Sequence, residues 1–142
     1  MDHRPIADIE AEIIEDFSVV DDWMDRYEIL IDIGNELSPF PEEHRLEENL
    51  VRGCQSRVWL VAEMRDNLVH FQADSDSSIT KGLISLLVKV LSDHSPQEIL
   101  SAELDFIDRI GVRQHLSPNR SNGLSAMLKQ MKLYALAFGS KK

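Results

Sequence analysis

The residue of this sequence with the clearest chemistry is its single cysteine, Cys54, which lies in the segment VRGCQSR (residues 51–57). A thiolate is the nucleophile in sulfur exchange, and nearby cations such as Arg52 and Arg57 raise the ionised fraction of a thiol. Gly53 permits a positive φ, a bend that turns the next side chain out of the path of the backbone. The pattern predicts either a thiol for sulfur transfer or a structural cysteine that packs as a small apolar residue.

The other chemistry-bearing residue types form no recognisable site. One cysteine excludes an intrachain disulfide and any cysteine-rich zinc or iron–sulfur site built from this chain alone. The spacings of the five histidines fit no zinc motif, so we expect no metal and histidines at the surface or at helix ends. The glycines are isolated, which argues against a phosphate-binding loop. A single thiol without an apolar secretory leader favours a cytoplasmic location.

The charge is distributed unevenly along the chain. Residues 1–50 hold 16 acidic and 3 basic side chains, whereas residues 51–142 hold 9 acidic and 12 basic ones. An acidic first third argues against nucleic-acid binding, because phosphate contacts need clustered Lys and Arg. It favours either solvated acidic helices or electrostatic steering toward a basic partner. No apolar run approaches the ~20 residues of a membrane helix, so we expect no membrane partner.

Hydrophobic periodicity identifies the elements that must position Cys54. Apolar residues recur every three or four positions over 6–20 and again over 23–37, which predicts two amphipathic helices with Asp21 or Asp22 capping the second. Residues 38–49 are polar, which is typical of a loop or a short helical turn. Cys54 therefore lies in the connection that leads from the helices to the next elements.

The middle of the chain changes to a period of two. Apolar and polar residues alternate over 58–64 and 68–73, on either side of a turn signal at 65–67, which predicts an antiparallel hairpin. Residues 74–78 are predicted to form a polar loop that caps the following helix. Residues 79–91 are apolar nearly all round, which predicts a central helix.

The last third is predicted to be helical. Ser95, Pro96 and Glu98 form a strong helix start signal. A short helix is expected over residues 105–111, a further turn that starts at Ser117-Pro118, and a last helix from Leu124. Residues 1–142 thus read as one α+β domain, in which four or five helices pack on a small antiparallel sheet.

Four blocks resemble, in order, those of the SufE/CsdE family of sulfur-acceptor proteins, and together they extend over roughly residues 20–135. They are GCQSRVW (residues 53–59), DSD followed by ITKGL (74–76 and 79–83), Ser95-Pro96 with Ile99, and HLSPNRSNGL (115–124). One such block alone is weak evidence, but four in the same order are specific.

The resemblance implies a fold similar to the IscU-type iron–sulfur scaffolds. It also implies that the chain accepts sulfane sulfur from a cysteine desulfurase of the SufS/CsdA type, stimulates that enzyme, and passes sulfur toward an iron–sulfur assembly scaffold. The pyridoxal phosphate belongs to the desulfurase, so no cofactor is expected here. The chain would be a sulfur-transfer partner and activator rather than a stand-alone enzyme.

The resemblance makes Cys54 the persulfide-forming residue. It implies supporting or partner-binding roles for eight further residues: Arg52, Gly53, Gln55, Ser56, Arg57, Asp74, Asp76 and Arg120. The apolar strand start after Cys54 also predicts that the Gly53 bend turns the thiol inward in the free protein, where burial outweighs the arginines and raises the thiol pKa.

A different class of function fits the same sequence. The chain could be a non-catalytic interaction domain that regulates a partner, with Cys54 incidental. Sulfur on Cys54 after incubation with a desulfurase distinguishes the first hypothesis from the second.

Overall fold

Six α-helices and one two-stranded antiparallel sheet make up residues 4–140, the part of the chain that the computed structural model describes. The elements are α1 (Ile6–Ser18), α2 (Trp23–Asn35), β1 (Val58–Arg65), β2 (Leu68–Ser75), α3 (Ser78–Leu91), α4 (Pro96–Ser101), α5 (Phe106–Arg109) and α6 (Pro118–Gly139). The predicted α+β class is confirmed. Six helices form where four or five were predicted, and the shortest of them, α5, lies within the short helix predicted over residues 105–111. The likeness to IscU-type scaffolds stays a prediction.

The first two helices form largely as the periodicity predicts. α1 buries Ile9, Ile13 and Phe17, and it ends at Ser18, before the Val20 that the pattern included. Asp22 caps α2 by accepting a hydrogen bond of 2.9 Å from the backbone N–H of Met24. Short 3₁₀ turns at Glu42–His44 and Glu47–Asn49 then lead toward the cysteine segment.

The hairpin is confirmed, with a register that runs from Val58 opposite Ser75 to Arg65 opposite Leu68. Its two turn residues have positive φ, as a two-residue hairpin turn of type I′ requires. The assignment of Asp74 to a loop is wrong: Asp74 pairs with Trp59 across the ladder, and β2 continues to Ser75. The loop starts later than predicted because the ladder extends over the full length of β1.

α3 is the central helix, as its composition predicts. Ser77 caps it, and Leu83, Ile84 and Leu87 are among its buried residues. It packs against α2, β2, α1 and α6. This placement brings the N-terminal end of α3 close to the segment that carries Cys54.

The C-terminal helix is longer than predicted. Ser117 and Pro118 do not form a separate turn: they are the N-cap and first residue of the 22-residue α6, in which Ser117 Oγ accepts from the backbone N–H of Arg120. Residues 119–123 include weak helix formers, and for this reason the sequence pattern did not predict that the helix begins at Pro118. The capping box at the start of α4 is confirmed.

Two further findings concern side chains outside the site. His94 directly precedes the Ser95 N-cap of α4, which agrees with the helix-end position expected of the histidines, but it is buried, with its ring nitrogens 2.7 Å from the Arg4 carbonyl oxygen and 3.0 Å from that of Ser92. Within residues 4–140, no helix is both long enough and apolar enough to span a bilayer.

Candidate functional site

Cys54 lies on a short loop whose two ends are held together. The backbone N–H of Val51 donates to the carbonyl oxygen of Val58 at 2.8 Å, and Leu50 forms a β-bridge with Trp59. Gly53 has a φ of +96°, the left-handed conformation that the sequence predicted for this bend. The backbone contacts therefore hold the two ends of the loop together at the start of β1, and Cys54 follows the bend at Gly53.

The thiol contacts α6. Cys54 is half-buried, and its S–H donates to the carbonyl oxygen of Gly123 at 3.5 Å. The amide of Asn119 donates to Gln55 Oε1 at 3.1 Å, a second tie between the loop and the first turns of α6. α6 passes so close to the sulfur that a Cβ built at Gly123 would be in van der Waals contact with Cys54 Sγ, at 3.4 Å.

Cys54 opens onto a cavity of about 270 Å³ between the loop, α3 and α6. The lining residues are Cys54, Gln55, Ser56, Thr80, Leu83, Ser117, Asn119, Arg120, Gly123 and Met127. The thiol is turned inward, as the sequence predicted. The wall that it faces is formed by α3 and α6, whereas the sequence suggested the apolar start of β1.

Burial raises the pKa of the Cys54 thiol. Desolvation disfavours the thiolate, because charge is costly in a poorly solvated site. The neighbouring arginines were expected to lower the thiol pKa, but their positions make this effect weak. Arg52 is exposed and lines a different groove with Glu48 and Lys129, and Arg57 is also exposed. Burial therefore dominates in the free protein.

We expect alkylation of Cys54 by iodoacetamide at neutral pH to be slower than alkylation of an unfolded peptide of the same segment. The thiolate reacts, and each unit by which the pKa rises lowers the thiolate fraction about tenfold at a pH well below the pKa. Because the shift is upward, the rate should keep rising at alkaline pH after the peptide has reached its plateau. A pH–rate profile of both samples, followed by intact mass, checks this. Equal rates at neutral pH would show an open thiol.

Only some of the residues with implied supporting roles lie beside Cys54. Gln55, Ser56 and Arg120 line the cavity of Cys54. Asp74 forms ion pairs with Arg45 (2.5 Å) and Lys81 (3.3 Å). Burial works against ionisation of Asp74, but hydrogen bonds from Arg45, the Ser75 N–H and Lys81 lower its pKa below the usual range.

Asp76 is hydrogen-bonded to the backbone of Arg57 at the end of the hairpin. Its Oδ1 accepts from the backbone N–H of Arg57 at 3.1 Å, and the Arg57 carbonyl oxygen accepts from the Asp76 N–H and the Ser75 hydroxyl. Asp74 and Asp76 thus brace the end of the hairpin beside the cysteine loop, outside the cavity lining.

Sequence reasoning missed several residues of this site. Thr80 and Leu83 lie in the ITKGL block, and Asn119 and Gly123 in the C-terminal block, so the resemblance contained them without assigning a role. Arg45 was also missed: its guanidinium lies 5.4 Å and 5.1 Å from the ring centres of Phe40 and Trp59. Across the described ranges, no group of three or more His, Cys, Asp or Glu side chains could hold a metal ion.

Comparison with known proteins gives consistent matches. Residues 11–135 match the family model described as SufE, Fe-S metabolism associated domain. An uncharacterized SufE-like protein of Rhizobium meliloti is 39% identical over 126 residues, covering 85% of this chain and 90% of that protein. A second one, from Synechocystis, is also 39% identical, over 128 residues, covering 90% of this chain and 80% of the relative.

A solved structure shows the same fold. The solution structure of a hypothetical protein from Thermus thermophilus superposes with a TM-score of 0.77, covering 94% of this chain and 97% of that one. Its sequence identity is 21%, so the likeness concerns the fold alone.

Proposed function

The chain belongs to the SufE family, which is associated with iron–sulfur metabolism, and we propose on this premise that it is a sulfur acceptor. Cys54 takes sulfane sulfur from a pyridoxal-phosphate-dependent cysteine desulfurase of the SufS/CsdA type. The chain stimulates that enzyme and passes the sulfur toward an iron–sulfur assembly scaffold. The pyridoxal phosphate is the desulfurase's own.

The observation that carries the proposal is the setting of Cys54. Its half-buried thiol lies on a pinned loop and opens onto a cavity with room beyond the sulfur. A structural cysteine needs no such space, because interiors are close-packed. An outer sulfur bonded to Sγ lies about 2.05 Å from it, a distance that a cavity of this size accommodates.

The transfer step is a thiol–persulfide exchange. The Cys54 thiolate, after its proton has gone to solvent or to a base of the partner, attacks the outer sulfur of the desulfurase persulfide. The new S–S bond forms at Cys54 as the S–S bond of the donor breaks, and the donor cysteine leaves as a thiolate. No net oxidation or reduction occurs.

The absence of a second cysteine suits a carrier. A neighbouring thiol would attack the Cys54 persulfide, release sulfide and leave a disulfide. This chain contains one cysteine, so that intramolecular loss is impossible. An iron–sulfur scaffold would instead need several thiolate ligands, which the chain does not supply.

Sulfur transfer requires the loop to open toward the partner. The contacts to be broken are the Cys54–Gly123 hydrogen bond and the Gln55–Asn119 hydrogen bond. Gly53, with its permissive backbone, is the natural hinge. The free energy of opening must come from tighter binding of the desulfurase to the open loop. Cys54 alkylation that is faster with a desulfurase lacking its own active cysteine would support this.

The test is incubation of the protein with a cysteine desulfurase and L-cysteine, followed by intact mass and peptide mapping. Added sulfur on Cys54 is the expected result. A protein that stays unlabelled while it stimulates the desulfurase would contradict the acceptor function. It would instead support the alternative of a regulatory interaction domain in which Cys54 is incidental.

Charge reversal at Arg120 is expected to slow sulfur acceptance at least about tenfold, since it places a carboxylate where an anionic persulfide must arrive. Arg120 is exposed and lines the cavity, so Arg120→Glu leaves the core unchanged. Arg109→Glu, an exposed arginine on α5 outside the cavity lining, is the matched control. Intact mass measures the rate of sulfur loading on both variants and on the wild type. Equal loading of both variants and wild type would remove Arg120 from the site.

A further inference from the structure

Thr80 is a buried residue whose hydroxyl group has no hydrogen-bond partner in the described part of the chain. It lies in the first turn of α3 with 5% of its surface exposed. Its backbone N–H donates to Ser77 Oγ at 3.5 Å. Its hydroxyl has no hydrogen-bond partner within residues 4–140 and does not bond back to a carbonyl of the preceding turn, as helical threonines often do.

Thr80 is part of the wall of the Cys54 cavity. Its side-chain oxygen is absent from the fully covered side-chain atoms that lack a partner in the described chain. The oxygen therefore retains access to open space although the residue is buried. Burying an unpaired hydroxyl is unfavourable, so a group that bonds to it when present would explain its position.

The cavity combines apolar and polar walls. Leu83 and Met127 are each 1% exposed and give it an apolar side that suits a polarisable sulfur atom. A persulfide is a stronger acid than the thiol from which it forms, so its outer sulfur carries negative charge more readily than the Cys54 thiol does. An anion beside an apolar wall needs hydrogen-bond donors.

We propose that the Thr80 hydroxyl donates a hydrogen bond to the outer sulfur of a Cys54 persulfide and holds that sulfur inside the cavity. This inference rests on the proposed function and deepens it by naming a positioning residue. The side-chain amide of Asn119 is already bonded to Gln55, and Arg120 is an exposed residue of the lining. The Thr80 hydroxyl, by contrast, is a donor on a buried residue in the first turn of α3.

The consequence is protection from small thiols. Dithiothreitol removes the sulfur when one of its thiolates attacks the outer sulfur: that S–S bond breaks and Cys54 leaves as a thiolate. The second thiol of dithiothreitol then displaces hydrosulfide and closes a cyclic disulfide. An outer sulfur held against α3 is shielded from this attack, whereas one that leaves the cavity is accessible.

The experiment compares the wild type with Thr80→Val, which has nearly the same shape but no hydroxyl, and Thr80→Ser, which keeps it. Sodium polysulfide loads each protein: the Cys54 thiolate takes one sulfur atom and the polysulfide is shortened by one. After desalting, dilute dithiothreitol is added and the loss of sulfur is followed by intact mass. We expect Thr80→Val to lose sulfur about tenfold faster, in line with one hydrogen bond to a charged group, and Thr80→Ser to behave like wild type.

Two controls separate positioning from structure. Ser85→Ala removes another buried hydroxyl of α3, one that donates to the Lys81 carbonyl oxygen and lines a different cavity, and should leave sulfur loss unchanged. The melting temperature of Thr80→Val should be no lower than that of wild type, because the lost hydroxyl had no partner.

Equal persulfide lifetimes in wild type and Thr80→Val would overturn the inference, as would a Thr80→Ser variant that loses sulfur as fast as Thr80→Val. Chemical loading keeps this outcome distinct from failure of the proposed function. That failure would appear as a wild-type protein that accepts sulfur from polysulfide but none from a desulfurase.

Discussion

Replacing Cys54 by serine is expected to abolish sulfur acceptance completely while the fold survives. A hydroxyl cannot form a persulfide, and the chain has no other cysteine to accept the sulfur. The side chain is half-buried and makes one hydrogen bond, to the Gly123 carbonyl oxygen, to which a serine hydroxyl can also donate. The change in the free energy of unfolding should stay within about 1 kcal/mol.

Intact mass after incubation with a desulfurase and L-cysteine measures sulfur acceptance, and urea denaturation measures stability. Ser101→Ala, a change at an exposed serine of α4 outside the cavity lining, serves as the control that retains the thiol. Sulfur on the Cys54→Ser variant would refute Cys54 as the acceptor. A variant that fails to fold would favour the structural interpretation of the cysteine.

The features that the sequence predicted well depend on neighbouring residues. The capping box of Ser95 and Glu98 and the hairpin turn at Asp66 and Asn67 are both settled within a few residues. The positive φ of Gly53 belongs to the same class. In each case the residue types allow few backbone conformations, and the tertiary structure selects one of them.

The features that the sequence missed depend on how α3 and α6 cross the cysteine loop. Thr80 lies 26 positions from Cys54 and Met127 lies 73 positions away, yet all three line one cavity. Conversely, Arg52 is two positions from Cys54 but lines another groove, because the chain bends at Gly53. Sequence proximity therefore suggested an influence of the arginines on the thiol pKa that the structure does not show, although the predicted dominance of burial is correct, and it gave no sign that α3 and α6 supply this burial.

The N-terminal part of α6 shows a related limit. Residues 119–123 include asparagine, serine and glycine, which are weak helix formers, so the pattern predicted a helix only from Leu124. The structure continues the helix back to Pro118, where Ser117 caps it. Side chains from this first part, such as Asn119, then reach the cysteine loop. Tertiary contacts therefore override the weak helix propensity of residues 119–123, where α6 meets the cysteine loop.

Gly82→Ala is expected to lower the free energy of unfolding by about 2 kcal/mol or more, because it forces apart two packed helices. A Cβ at Gly82 would lie 2.3 Å from the Leu30 carbonyl oxygen and 2.7 Å from its carbon, and backbone atoms cannot rotate away. Gly34 on the facing side of α2 is similarly close, with a Cβ there 3.0 Å from the Gly82 nitrogen. The gain of about 1 kcal/mol in helix propensity offsets only part of this cost.

The matched control is Gly123→Ala, the same change within α6. Its Cβ would contact Cys54 Sγ at 3.4 Å, an ordinary separation, so this variant should gain up to about 1 kcal/mol from helix propensity. Urea denaturation of both variants measures the difference. If Gly82→Ala proves as stable as wild type, the close approach of α2 and α3 is wrong.

The same pair of variants links the helix packing to the site. Gly82 lies between Thr80 and Leu83, both of which line the cavity, so displacing α3 should loosen the wall that covers Cys54. Alkylation of Cys54 by iodoacetamide should then be faster in Gly82→Ala than in wild type under conditions where both are folded. In Gly123→Ala the added methyl group covers the sulfur, and alkylation should be slower. Unchanged rates in both variants would contradict burial by α3 and α6 as the cause of the slow alkylation expected for Cys54.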